Sequence, residues 1–132
     1  MRQSNPAESP GYNPDISGIV EELPKTGVIA IILFGSAAAG KVRPLSDLDL
    51  CIITRRDIPI AEKELLLSYS SRKTHISLFS DLPPAVQFRV FRDGAILYCA
   101  DPLALHRARV ATIRAYCSIR PMIERHVTRV LG

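Results

Sequence analysis

The sequence predicts an α+β fold, an α/β sandwich in which helices pack on a mixed β-sheet of about four strands. Two observations predict it: four short runs rich in β-branched and aliphatic residues, and segments of helical periodicity that lie between and after them. The length of 132 residues, with 47% hydrophobic and 23% charged residues, is typical of one globular domain with its own core.

Four segments predict the strands. Val28–Phe34 is a continuous apolar run, which is typical of a buried strand. In residues 47–53, acidic and apolar side chains alternate in the first half, and the second half is continuously apolar. Residues 74–79 and 95–99 are the other two predicted strands. Since all four runs are short, they fit the strands of one sheet in a small domain.

Helices are predicted between and after these strands. Residues 15–23 and 59–69 have helical periodicity, and residues 83–93 begin at a proline pair and stop at Gly94. The chain after residue 101 reads as helix, in which Pro121 should kink or split the path. The side chains expected to face the core are Ile16, Ile19, Val20 and Leu23, then Ile60, Leu65, Leu66 and Tyr69, and finally Val110, Ile113 and Cys117.

The organisation predicted is a flexible N-terminal tail over residues 1–14, rich in Pro, Ser, Asn and Gly, and one domain over residues 15–132. No apolar run approaches the ~20 residues that span a membrane, and no apolar signal segment opens the sequence. The three cysteines are odd in number and widely spaced, which favours a reducing compartment. We therefore expect a cytoplasmic protein that does not enter a membrane.

The positive charge is concentrated at the C-terminus. Formal net charge is +4, yet residues 102–132 contain six arginines and a single acid, Glu124. This segment is either a solvated helix face or a docking surface for an acidic partner or a nucleic acid. Because no aromatic residues are interleaved as a stacking platform, direct nucleic-acid binding is disfavoured.

The segment LFGSAAAGKVRPLSDLDL, residues 33–50, carries the candidate chemistry. A buried strand ends at Gly35 and Ser36, followed by three alanines that favour a short helix. Glycine lets a ligand approach the backbone, Ser36 can cap the helix, and amide groups at such a helix start suit a phosphate.

Paired carboxylates follow this turn. Asp47 and Asp49 share one face of a strand because strand side chains alternate. Two like charges side by side repel each other, whereas Mg²⁺ prefers oxygen ligands and lets substrate phosphates complete its shell. The phosphate-binding turn and the acid pair together indicate metal-assisted nucleotide chemistry.

The motif resembles the Gly-Ser-x10-Asp-x-Asp signature of the polymerase-β-type nucleotidyltransferase superfamily, and more narrowly the minimal nucleotidyltransferases (MNT, or MntA-like antitoxins). The resemblance covers roughly residues 15–125 and implies a nucleotidyltransferase fold. It implies that Gly35 and Ser36 hold the triphosphate of ATP and that Asp47 and Asp49 bind Mg²⁺. It further implies that AMP is transferred to a tyrosine of a HEPN-domain toxin partner, which silences that toxin.

Two charged residues of the motif loop, Lys41 and Arg43, are candidate phosphate ligands, although ordinary exposed loop charge is an equally simple interpretation. Open sheet edges also allow the chain to form an oligomer.

The sequence departs from the family at one position. The resemblance implies a third carboxylate on the next core strand, where this chain has His75. His75 either replaces the acid as general base, or ligates a metal, or marks a degenerate site. By alternation, Asp81 would lie on the same strand face as His75. It is roughly 20 Å from His75 along an extended strand, which is too far to replace the missing carboxylate. The alternative to an enzyme is therefore an antitoxin that neutralises its partner by binding alone.

Overall fold

The computed structural model describes residues 14–35, 48–71 and 74–131, with side chains described from Ile16 to Arg120 within those ranges. The helices are α1 (Pro14–Glu22), α2 (Ile60–Leu67), α3 (Pro84–Asp93) and α4 (Pro102–Leu131). The strands are β1 (Val28–Phe34), β2 (Leu48–Thr54), β3 (Thr74–Leu78) and β4 (Ala95–Cys99), and a 3₁₀ turn over Phe79–Asp81 follows β3.

The strands form one mixed sheet in the order β3-β2-β1-β4. β1 pairs antiparallel with both β2 and β4, and β2 pairs parallel with β3. The C-terminal end of β1 therefore lies beside the N-terminal ends of β2 and β3. The predicted mixed four-stranded α+β fold is confirmed.

Helices cover both faces of the sheet. On one face, Leu50 packs with Ile16 of α1 and Leu66 of α2. On the other face, Cys51 packs with Val90 of α3 and a neighbouring cluster that includes Leu105 of α4. Because β2 buries side chains toward both layers, its central residues are almost all apolar, as expected of an interior strand.

The predicted strands fall close to the observed ones. β1 and β4 have the predicted bounds, while β2 runs one residue later than predicted and β3 ends before Phe79. Phe79 instead opens the 3₁₀ turn and stacks edge-on against Phe91, with ring centroids 5.4 Å apart.

The predicted inward face of α2 was wrong for three of its four residues. Leu66 is buried, but Ile60 is 72% exposed, and Leu65 and Tyr69 are also exposed. The helix has only eight residues, so only a narrow stripe of its side chains can face the sheet. Tyr69 lies beyond the end of the helix.

The expectations for α4 also need correction. The helix is not split at Pro121 but continues to Leu131. From Pro102 to Arg120, where its side chains are described, the buried residues are Leu105 and Thr112, whereas Ile113 and Cys117 are exposed. Thr112 is tolerated in the interior because its hydroxyl donates a hydrogen bond to the carbonyl of Ala108 at 2.7 Å.

Across the ranges that the structure describes, no helix has the length and apolar character needed to cross a bilayer.

Candidate active site at the start of the second strand

Three predicted site residues lie in a row across the sheet. Asp49 is the register partner of Phe34 at the end of β1, directly before Gly35, and the register partner of His75 on β3. Adjacent strands are about 4.8 Å apart, so both neighbours are within one strand spacing of Asp49. The sheet therefore brings together Asp49 of β2, His75 of β3 and Gly35, which directly follows β1.

Gly35 is adapted to the Asp49 carboxylate. Its backbone has φ +82°, a conformation that side-chain-bearing residues rarely adopt. A Cβ atom added at Gly35 would lie 2.6 Å from Oδ2 of Asp49. The strand end thus needs glycine for two reasons, its backbone angle and the space that the carboxylate occupies.

This contact between Gly35 and Asp49 was missed by the sequence analysis, which assigned Gly35 to phosphate binding alone. The contact arises from the pairing of β1 with β2, whose paired residues are twelve or more positions apart. A pattern within one segment of the sequence does not predict such a contact. The available signal was the glycine directly after a buried strand, a position where close backbone approaches are common.

Asp49 and Cys51 share one face of β2, as alternation predicts. Asp49 is half-buried, and Cys51 is fully buried beneath α3. Burial raises the pKa of the Cys51 thiol to about 12. The thiol is therefore neutral at physiological pH and serves as a packing residue rather than a nucleophile.

His75 is exposed and lies on the Asp49 side of β3. Thr74, Ile76 and Leu78 are buried on the opposite side of the strand. Asp81 belongs to the turn after β3 and is exposed, at the end of the strand remote from Asp49. The side chain beside Asp49 on β3 is therefore an imidazole.

Four of the predicted site residues lie outside the described residues: Ser36, Lys41, Arg43 and Asp47. The phosphate-binding turn and the pairing of Asp47 with Asp49 thus remain predictions. Among the residues that the structure does describe, no group of three or more His, Cys, Asp or Glu side chains could hold a metal ion.

The donor chemistry of Asp49 nevertheless suits Mg²⁺. Its carboxylate supplies the hard oxygen ligands that this ion prefers, and it lies near the start of β2 beside Gly35. Asp47 would add a second carboxylate on the same face by alternation. The nitrogen donor of His75 suits transition metals better.

The chain matches one protein-family model. The family model described as "Polymerase beta, Nucleotidyltransferase" matches residues 17–103 of this chain. A search among proteins of curated function gives no significant match.

Several solved structures share the fold. A chain in a crystal structure of a toxin–antitoxin with AMP-PNP matches with a TM-score of 0.69 at 18% identity, over 89% of this chain and 96% of that one. A chain of a tri-AMPylated Shewanella oneidensis HEPN toxin in complex with an MNT antitoxin matches with a TM-score of 0.63 at 16% identity, over 89% of this chain and 94% of that one. Another Shewanella oneidensis structure matches with a TM-score of 0.67 at 15% identity, over 92% of this chain and 100% of that one.

Proposed function

The chain belongs to the polymerase β nucleotidyltransferase family, and from that membership we propose that it transfers AMP from ATP to a tyrosine hydroxyl of a HEPN-type toxin. In this proposal the transfer silences the toxin, so the protein acts as its antitoxin in the cytoplasm.

The observation that carries the proposal is the contact between Gly35 and Asp49. A carboxylate oxygen occupies the space that any side chain at position 35 would need. Glycine adopts the positive φ at no steric cost, and its missing side chain leaves the space in which the Asp49 carboxylate lies beside the end of β1. The Gly-Ser-x10-Asp-x-Asp motif surrounds this contact in the sequence.

In the proposed site, Asp47 and Asp49 would hold Mg²⁺. When bound, the ion supplies neutralisation of the triphosphate charge and a lower pKa for the attacking hydroxyl. Gly35 and Ser36 would bind the triphosphate through backbone amides, and Lys41 and Arg43 are close enough in sequence to add phosphate contacts.

The proposed reaction is an in-line displacement. The tyrosine oxygen forms a bond to the α-phosphorus while the bond from that phosphorus to the bridging oxygen breaks, and pyrophosphate leaves. His75, exposed beside Asp49, accepts the proton that the tyrosine hydroxyl loses. In this way an imidazole would perform the task that the third carboxylate performs in the family.

The structural relatives support the choice of reaction and partner. One was crystallised with AMP-PNP, and another contains an AMPylated HEPN toxin with an MNT antitoxin. They share the fold of this chain at under 20% identity, so the nucleotide, acceptor and partner assigned to this chain remain part of the proposal.

A labelling experiment tests it. The purified protein is incubated with α-³²P-labelled ATP, Mg²⁺ and the HEPN-domain protein expected from the adjacent gene. We expect label on the HEPN protein with the wild type and none with Asp49→Ala. Asp57→Ala is the matched control, because Asp57 is an exposed acid in the loop before α2. Equal labelling by Asp49→Ala would contradict the proposal.

A second candidate function is neutralisation by binding alone. The observation that favours it is His75, an imidazole where the family resemblance implies an acid. In that case Asp49→Ala would still neutralise the toxin in a growth assay, whereas an enzyme would lose this protection.

A further inference from the structure

A groove lies on the Asp49 face of the sheet, at the opposite end of β2. It has a volume of about 710 Å³. Its floor includes Ile29 and Ile53, and its walls come from α4 and from the 3₁₀ turn at Phe79 and Ser80. Ile53 is four residues from Asp49, or about 13 Å along a strand, so the groove is separate from the candidate active site.

The α4 wall of the groove is a stripe of small residues. Ala104, Ala108, Ala111 and Ala115 all line it, at spacings of four, three and four residues. Residues at this spacing lie on one side of a helix, and two of the four alanines, Ala111 and Ala115, are exposed there. The stripe extends over eleven residues, about 16 Å, which equals roughly three turns of a second helix.

The groove is positively charged. Arg56 and Arg107 line it and are exposed, and none of the described residues that line it is acidic. Within the described ranges neither arginine forms an ion pair, in contrast to nearby Arg55, whose guanidinium lies 3.6 Å from the Asp101 carboxylate. From 102 to 120, α4 carries four arginines and no acid.

We propose that this groove binds an amphipathic helix of the HEPN-type partner, with the apolar side of that helix on the alanines and acidic residues beside Arg56 and Arg107. The inference rests on the proposed function for the identity of the partner. Helices pack 8–10 Å apart depending on the side chains at the contact, and alanine permits the closest approach. The unpaired arginines select an acidic helix over a basic one.

Binding of the HEPN-domain protein, measured by isothermal titration calorimetry, tests the groove. Ala111→Trp fills it at an exposed position, and Ala61→Trp, an exposed alanine on α2, is the matched control. The double variant Arg56→Glu with Arg107→Glu reverses the charge of the groove. Its control is Lys63→Glu with Arg89→Glu, on α2 and α3, which changes the net charge by the same amount outside the groove. Circular dichroism melting verifies that each variant is folded.

We expect each groove variant to weaken binding about tenfold or more and each control to bind like the wild type. Asp49→Ala should bind normally while failing to transfer AMP, which separates docking from chemistry. If the wild type binds the HEPN-domain protein and the groove variants bind it with the same affinity, the groove is not the docking site, while the proposed partner stands. Absence of wild-type binding would overturn the proposed partner and the groove together.

Nucleic acid is the other outcome to be tested. A fluorescent single-stranded RNA is titrated against the same variants. If the arginine reversals abolish RNA binding and leave binding of the HEPN protein unchanged, the groove is a nucleic-acid site and the proposal is wrong. If they weaken the HEPN complex and leave RNA binding unaffected, the proposal holds.

Discussion

His75 is the register partner of Asp49 in the parallel pairing of β2 and β3. The pairing sets an imidazole beside a carboxylate at the edge where β1 ends and Gly35 turns away from the sheet. The proposed proton acceptor and the proposed cation ligand are thus held on neighbouring strands of one sheet. Such a scaffold fixes their relative positions better than loops would.

Exchanging His75 tests its role as proton acceptor. We expect His75→Ala to lower kcat for AMP transfer by about 10²- to 10⁴-fold, the usual contribution of general base catalysis. His75→Asp should retain more activity than His75→Ala, because a carboxylate can also accept the proton. A wild-type rate in His75→Ala would show that His75 takes no proton.

Gly35→Ala should disturb the Asp49 carboxylate. The added Cβ would lie 2.6 Å from Oδ2 in a backbone of φ +82°. We expect about 10²-fold slower transfer from the displaced carboxylate and about 1–3 kcal/mol lower stability from backbone strain.

Gly18→Ala is the control for this change, since a Cβ there meets nothing within 4 Å. It lies inside α1, so alanine should raise stability by about 0.5–1 kcal/mol and leave transfer unchanged. Steady-state kinetics and urea unfolding measure both effects. Full activity in Gly35→Ala would contradict the close contact.

Cys51 should make stability depend on pH in the alkaline range. Burial raises its folded-state pKa from 9.0 to about 12, so the unfolded chain loses this proton first as pH rises. Stability therefore falls from about pH 8 to pH 10, by about 1.4 kcal/mol for this one thiol. The difference in unfolding free energy between wild type and Cys51→Ala should shrink by that amount. A pH-independent difference would rule out a buried neutral thiol.

The inward face of α2 can be tested by two truncations. Leu66 is 1% exposed and Ile60 is 72% exposed. We expect Leu66→Ala to lower the free energy of unfolding by about 2–5 kcal/mol and Ile60→Ala to change it by about 0.5 kcal/mol or less. Chemical denaturation measures both. Equal losses would mean that the helix presents a different face to the sheet.

The strands were predictable because their signals are local. Val28–Phe34 is a continuous apolar run between two glycines, and its observed bounds are the predicted ones. The alternation of β3 also placed His75 opposite the buried residues, as observed. In such segments the burial pattern alone sets both the element and its orientation.

The errors arose where tertiary packing decides the outcome. In α4, apolar Ile113 is exposed while Thr112 is buried, because the side of the helix that carries Thr112 faces the protein and its hydroxyl donates a hydrogen bond to a backbone carbonyl. The contact of Gly35 with Asp49 depends on the register of β1 against β2. Neither follows from periodicity, which describes one element at a time.

Asp49 and His75, with Gly35 beside them, are proposed to support AMP transfer to a partner. The most direct test is the intact mass of the HEPN-domain protein after co-expression with this protein, either wild type or Asp49→Ala. We expect the partner to gain the mass of one or more AMP groups only when it is co-expressed with the wild type. An unmodified partner beside the wild type, or an equally modified one beside Asp49→Ala, would contradict it.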